Sequence, residues 1–91
     1  MTITIEHLPE RGRFQTLVEG HLCVADYRLA GKLMQMSHTE VHPSLTGRGI
    51  AAKLVEAALA HARANGLRVE PQCSYVRTYL RRHPAHQDLL P

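Results

Sequence analysis

The chain has 91 residues, of which 44% are hydrophobic, so it is long enough for one small globular domain, residues 1–91, and too apolar for a disordered chain. The net charge is +3, with no basic run, few aromatic residues and no apolar run of ~18 residues, which disfavours a nucleic-acid binder and excludes a membrane span. Cys23 and Cys73 have no CxxC partner and the seven His residues are scattered, so we expect reduced thiols in a cytoplasmic protein and no metal site.

Four strand patterns come first in the chain. They cover residues 2–6, 13–18, 21–29 and 32–41, with glycine turns between the last three, and they predict an antiparallel meander. Side chains alternate between the two faces of a strand, so Met34 and Met36 should share one face of the fourth strand. The same alternation predicts that His38 and Glu40 lie on that face too.

A helix, a short strand and a second helix follow the meander. Residues 50–64 are apolar at helical spacing and end at Asn-Gly, residues 67–69 form a short strand, and Ser74 is a good N-cap for a helix over residues 75–82. The order β-β-β-β-α-β-α places a crossover helix before a parallel strand. We therefore expect an α+β (mixed α/β) fold.

The loop before the first helix carries the strongest motif. Residues 46–51 read Thr-Gly-Arg-Gly-Ile-Ala, and Gly47 and Gly49 allow a tight turn and close approach of a ligand. The first helical amides lack intrahelical acceptors and the helix dipole is positive there, which favours an anion. Arg48 adds charge, and Lys53 lies one turn further on. From the glycines alone, a plain strand-to-helix turn remains the alternative.

This loop resembles motif A of the Gcn5-related N-acetyltransferases, where Arg/Gln-x-x-Gly-x-Gly/Ala after the fourth strand cradles the pyrophosphate of acetyl-CoA. The matching residues are Thr46, Gly47, Arg48, Gly49, Ile50 and Ala51, with Thr46 where Arg or Gln is usual. The resemblance covers about residues 32–83 and implies acetyl-CoA or coenzyme A as cofactor. It also implies that backbone groups around Val41 and His42 hold the pantetheine arm, and that the fifth strand, residues 67–72, splays from the fourth.

The chain departs from the family by ending eight residues after His83, where family members continue into two more strands that wall the acceptor site. It resembles the short branch of the family, of about 90 residues, with His-Thr-Glu-Val at residues 38–41 and Pro-x-Cys-x-Tyr at residues 71–75. We expect a minimal version of the fold that lacks the last two strands. The open wall suits a large substrate, or a second subunit of a homodimer completes it.

Acetyl transfer to an amine needs a base for the amine proton and an acid for the leaving thiolate. His38 and Glu40 are the candidate bases: His38 titrates near neutrality, whereas Glu40 would need desolvation. Tyr79 stands seven residues after Gln72 and resembles the family Tyr that protonates the thiolate. The alternative for His38 and Glu40 is that they are polar residues at a strand end.

Cys73 is a further catalytic candidate. It precedes a helix N-terminus, a position that stabilises a thiolate, and it could take the acetyl group from the cofactor and pass it on. The alternative is a small buried residue lining the pantetheine channel. Cys23, inside an apolar strand, should be part of the core.

Three functions remain open from the sequence. The leading hypothesis is an acetyl-CoA-dependent N-acetyltransferase that acts on an amine, either a small molecule or a protein. The second is a non-catalytic module that binds coenzyme A or acetyl-CoA, and the third is a small nucleic-acid-binding domain.

Overall fold

Five strands form one sheet whose spatial order is the order of the chain. The computed structural model describes residues 2–91. The strands are β1 (Glu6–Leu8), β2 (Arg13–Val18), β3 (His21–Ala30), β4 (Leu33–Glu40) and β5 (Arg68–Pro71). Strands β1 to β4 pair antiparallel, whereas β5 lies parallel to β4. A parallel neighbour requires a crossover connection, and a helix provides it.

Two α-helices, α1 (Ile50–Ala64) and α2 (Ser74–Arg82), follow β4 and β5, and two short 3-10 helices span Pro43–Leu45 and Pro84–Leu89. The bounds of α1 are those predicted from its apolar spacing. Its buried residues are Ile50, Leu54, Val55, Ala58, Leu59 and Ala62. The element order confirms the predicted α+β (mixed α/β) fold. Among residues 2–91 no strand follows β5, and no helix is long and apolar enough to cross a bilayer.

Both helices pack against the same face of the sheet and share one aliphatic core with it. The sheet contributes residues such as Cys23, Met34 and Met36, each at most 1% exposed, and full burial of one such side chain stabilises the fold by about 1.5–3 kcal/mol. On the other face Leu17 and Leu22 pair across β2 and β3 and stay 69% and 47% exposed. Strands β4 and β5 are parallel, and each is followed by a helix. The helices α1 and α2 therefore begin at the same end of the sheet, where β4 and β5 have their C-termini.

The first strand differs from the prediction of residues 2–6. Strand β1 runs from Glu6 to Leu8, because only these residues pair with β2. The preceding segment is tied down differently: the Thr16 hydroxyl donates to the Thr4 carbonyl oxygen at 2.7 Å, and Ile3 and Ile5 pack against the core. The alternating pattern of residues 2–6 thus reflects side chains that are partly buried against the core. It does not indicate that the whole segment is hydrogen-bonded to β2.

A β-bulge in β4 overturns the predicted face of two candidate residues. Met36 pairs with Tyr27 of β3, but His38 already pairs with the next residue, Asp26, so Ser37 is an extra residue without a partner. Such an insertion reverses the alternation of side chains beyond it. His38 and Glu40 therefore lie on the face opposite the buried methionines, contrary to the prediction, while the intervening residue turns toward the helices.

Candidate functional site

The loop between β4 and α1 forms the N-terminal cap of the helix without a side-chain acceptor. Gly49 is the N-cap residue and has a left-handed conformation, with φ of 76°, and Gly47 has φ of 87°. Side chains rarely adopt such angles, so glycine suits both positions. Because no side chain caps α1, its first backbone N–H groups are available to an anionic ligand.

A cleft of about 340 Å³ opens above this loop. It is lined by Val41, Leu45, Thr46, Gly47, Gly49, Ile50, Ala51 and Tyr75. Six of the eight residues that sequence reasoning assigned to the cofactor are in this set. The remaining two are His42 and Arg48, and the sequence-based assignment omitted Leu45 and Tyr75.

Arg48 and His42 face the turn between β2 and β3 instead of lining the cleft. The Arg48 guanidinium donates to the carboxylate of Glu19, and the hydrogen bond and charge of Arg48 lower the pKa of Glu19. The His42 ring stacks on His21 with 3.7 Å between ring centroids, and its Nδ1 accepts from the Ser44 N–H at 3.1 Å. Two side chains of the loop thus brace it against the hairpin.

A gap opens where the pairing of β4 with β5 ends. Met36 pairs with Pro71 at the end of the parallel ladder, and the N–H groups of Gln72 and Cys73 both donate to the Met36 carbonyl oxygen at 3.0 Å. The chain then turns into α2. In the described part of the chain no strand lies beside β4 from Ser37 onward on this side, as the predicted splay requires.

Cys73 is the N-cap residue of α2, and the helix begins at Ser74. The prediction of Ser74 as the cap is wrong by one residue, because the bond from the Cys73 N–H to Met36 holds Cys73 extended, with ψ of 136°. The preference for Ser at this position, worth about 1 kcal/mol, is overridden by that tertiary contact.

The Cys73 thiol lies inside the gap, with its Sγ 3.6 Å from the hydroxyl oxygen of Thr39. Burial raises the pKa of the thiol, but the nearby Val76 amide, Thr39 hydroxyl and Tyr75 amide favour the thiolate and outweigh burial, so the pKa is lower than usual. Hydrogen bonds to a thiolate stabilise it, and the thiolate is the nucleophilic form. Cys23, in contrast, is fully buried in the core, as predicted.

His38 and Glu40 form an exposed pair across the strand from this thiol. The His38 Nε2 is 3.1 Å from the Glu40 Oε1, and the two side chains are 55% and 69% exposed. Thr39, which contacts Cys73, lies between them in sequence and on the opposite face of β4. The candidate bases His38 and Glu40 therefore lie next to each other, but on the opposite face of β4 from the candidate nucleophile, Cys73.

Tyr79 lies six residues after the Cys73 cap of α2, and its side chain faces α1. Its hydroxyl donates to Glu56, which also accepts from His86 Nε2 at 2.9 Å, and its ring stacks on His83 at 3.9 Å. Burial and the bond to Glu56 raise the pKa of Tyr79. Tyr79 lines a groove of about 250 Å³ between the helices. Tyr75 lines both this groove and the cleft above the loop.

The model of the GCN5-related N-acetyl-transferase family matches residues 13–89. This chain belongs to the Gcn5-related N-acetyltransferases. The proteins NATD1 of Mus musculus and of Gallus gallus are each 33% identical to it over an alignment of 90 residues, and the alignment covers 96% of this chain and 82% of theirs. An NMR solution structure of a GCN5-like protein from Staphylococcus aureus superposes with a TM-score of 0.79 at 26% identity, covering 97% of this chain and 87% of that one.

Within this family fold, three residues near the site besides Leu45 were missed by sequence reasoning. Tyr75 is part of the Pro-x-Cys-x-Tyr run, so its place beside the cleft has a signal in the sequence. Thr39 turns toward Cys73 only because of the bulge, and Glu19 meets Arg48 across 29 residues of chain. Neither of the last two contacts has a local pattern that would indicate it.

Proposed function

We propose that this protein is an acetyl-CoA-dependent N-acetyltransferase that acts on an amine. One observation carries the proposal: the cleft at the start of α1 and the Cys73 thiol at the start of α2 lie at the same end of the sheet. Tyr75 relates the two, because it lines the cleft, stands two residues after Cys73, and has a backbone amide that lowers the pKa of the thiol. A ligand with an anionic end and a reactive thioester end suits such a surface.

The loop would hold the diphosphate mainly through its backbone. Gly47 and Gly49 remove side chains from the floor of the cleft, and the first amides of α1 have no capping side chain. A hydrogen bond to a charged group contributes about 1.5–3 kcal/mol, so two or three such amides support useful affinity. This arrangement accommodates Thr46, whose neutral side chain replaces the Arg or Gln usual in the family.

The pantetheine arm would lie along the free edge of β4. From Ser37 onward this edge has no strand beside it, so its backbone groups can pair with the amides of an extended ligand. Val41 and Leu45 supply apolar contacts between this edge and the loop. Acetyl-CoA itself supplies the activated acetyl group.

Cys73 gives the protein a two-step route. The thiolate attacks the acetyl carbonyl carbon, a bond to Sγ forms, and the bond to the coenzyme sulfur breaks, so coenzyme A leaves as a thiolate and takes up a proton. An amine then attacks the acetyl-Cys73 thioester and loses a proton to a base, which returns Cys73 to the thiolate. In the direct route the amine attacks acetyl-CoA itself, and Cys73 only lines the gap.

The proton-transfer groups fit these routes unequally. His38 and Glu40 lie on the opposite face of β4 from the thiol, so either would act on an amine that approaches from that face, or through a water molecule. The Tyr79 proton is already donated to Glu56. Tyr79 can act as the acid only if that bond is exchanged for one to the leaving thiolate.

The separation of the candidate bases from Cys73 also supports a second function, a module that binds coenzyme A without transferring its acetyl group. The two functions differ in turnover and not in binding. Incubation of the wild type with acetyl-CoA and a panel of primary amines separates them, with free coenzyme A and acetylated amine as readouts.

Intact-protein mass spectrometry tests the route. The two-step route predicts one acetyl group on the wild type and on Cys23→Ala, and none on Cys73→Ala. Turnover in Cys73→Ala at the wild-type rate supports direct transfer. Binding without any turnover of the panel supports the non-catalytic module, and no binding of acetyl-CoA contradicts both functions.

A further inference from the structure

The turn between β2 and β3 places an acidic residue beside the loop at the start of α1. Glu19 has φ of 50° and is, among residues 2–91, the one non-glycine residue with a positive φ. Its carboxylate accepts a hydrogen bond from Arg48. The turn and the loop also meet through the stacked rings of His21 and His42, so the carboxylate is held next to the loop by two separate contacts.

Arg48 is the only charged residue among residues 46–51. It stands between Gly47 and Gly49, both left-handed, and its side chain leaves the cleft and reaches Glu19. The next cation, Lys53, lines a different recess, beside Ile3, Ile5 and Glu56. The one guanidinium that belongs to the loop is therefore neutralised by a carboxylate of the hairpin.

We propose that Glu19 competes with the phosphates of the cofactor for Arg48, and thereby limits the affinity of the site for acetyl-CoA. This inference rests on the function proposed above. The Arg48 and Glu19 side chains are 37% and 59% exposed, and exposed pairs are weak, so a multiply charged phosphate at the adjacent amides can displace the carboxylate. The flanking glycines allow Arg48 to turn back toward the cleft.

The competition acts only on ligands that carry the diphosphate. Glu19 is ionised at neutral pH, because the ordinary pKa of a glutamate lies well below that pH and the bond to Arg48 lowers the pKa of Glu19 further. By holding the Arg48 guanidinium, its carboxylate withholds the cation that would attract an anion to the loop. Acetyl-pantetheine, which has the thioester arm but no phosphate, would be insensitive to this effect.

The test is calorimetric titration of acetyl-CoA into the wild type, Glu19→Gln and Glu10→Gln at low ionic strength. Glu10→Gln is the matched control, because it removes the same charge in the turn between β1 and β2, at the opposite end of β2. We expect Glu19→Gln to tighten binding about two- to fivefold, Glu10→Gln to leave it unchanged, and acetyl-pantetheine to bind all three proteins equally.

The Arg48→Gln background identifies the mechanism. Arg48→Gln weakens binding, and in that background the gain from Glu19→Gln disappears if the two groups compete as proposed. Glu19→Asn, which suits the left-handed conformation better, should repeat the gain and guards against misfolding of the Gln variant.

Weaker or unchanged binding in Glu19→Gln and Glu19→Asn overturns the inference, and so does a gain that persists without Arg48. Failure of the wild type to bind acetyl-CoA is a separate result, which removes the proposed function and this inference together.

Discussion

The N-termini of α1 and α2 lie at the same end of the sheet, but their N-cap residues are of different types. At α1 the cap is Gly49, which has no side chain, so the first amides remain available to a ligand. At α2 the cap is Cys73, whose side chain makes no capping hydrogen bond but whose thiol has a lowered pKa beside the backbone amides of Val76 and Tyr75. The backbone amides at a helix N-terminus are thus available to an anionic ligand at α1, and they favour the thiolate form of Cys73 at α2.

The largest effect in this comparison should come from removing the thiol. Under the two-step route Cys73→Ala lowers the rate of acetyl transfer by roughly 10²-fold or more, because that route needs the Cys73 thiolate, while acetyl-CoA binding stays within about twofold. Cys23→Ala is the control for the loss of a thiol elsewhere. Equal steady-state rates in wild type and Cys73→Ala would contradict the covalent route.

Adding a side chain to the α1 cap tests the other terminus. Gly49→Ala should weaken acetyl-CoA binding about tenfold, since a methyl group then projects at the amides that meet the phosphates. Gly66→Ala is matched, because Gly66 has φ of 66° near the other end of α1, and neither added methyl group would meet protein atoms within 4 Å. Both variants should lose about 1–2 kcal/mol of unfolding free energy, measured by urea denaturation.

If only Gly49→Ala loses affinity, the loss belongs to the cleft and not to strain. Equal loss in the two glycine variants would mean that backbone strain, and not contact with the ligand, weakens binding.

The variant Tyr79→Phe tests the role of the groove between the helices independently of the two helix caps. It deletes the hydroxyl that donates to Glu56, so the unfolding free energy should fall by about 1–1.5 kcal/mol. If Tyr79 only joins the helices, transfer at a temperature where the variant is folded changes little. A large fall in kcat with unchanged binding would instead show the acid role that the family resemblance implies.

The smallest effect concerns the pH dependence of Cys73. Its pKa is depressed in the folded protein, so thiolate-dependent transfer rises with pH around a midpoint below the usual thiol range. Replacing Thr39 by Val removes a hydroxyl that lies 3.6 Å from the sulfur and lowers this pKa, and should move the midpoint to higher pH. Alkylation of Cys73 by iodoacetamide as a function of pH measures the shift, with the buried Cys23 as an unreactive reference.

The linked effect on stability has a defined sign. Because the folded-state pKa of Cys73 lies below its unfolded value, the stabilisation it contributes is present above the unfolded pKa and is lost as the pH falls through the folded one. Thr39→Val should reduce this alkaline contribution. An unchanged alkylation profile would show that Thr39 does not support the thiolate.

The regular parts of the fold were predictable because their signals are local. The bounds of α1 follow from apolar spacing between Gly49 and Asn65, and six of the eight assigned cofactor residues line one cleft because they lie close together in the sequence around one turn. The order of the strands followed from turn residues, and only the first strand was displaced.

The parts that failed depend on distant contacts. The bulge at Ser37 is set by pairing between β3 and β4, so strict alternation put His38 and Glu40 on the wrong face. The cap at Cys73 follows from a bond to Met36, and the orientation of Arg48 follows from Glu19. No window of neighbouring residues contains these partners, so no local pattern could indicate them.

The most direct test of the central claim is a titration of acetyl-CoA into ¹⁵N-labelled protein, followed by the backbone amide signals. We expect the largest shifts to occur together, with one affinity, at Gly47, Gly49 and Ala51 of the loop and at Thr39 and Cys73 of the gap. Shifts centred on the exposed sheet face around Leu22, or no shifts at all, would contradict the claim that the two helix N-termini form one cofactor site.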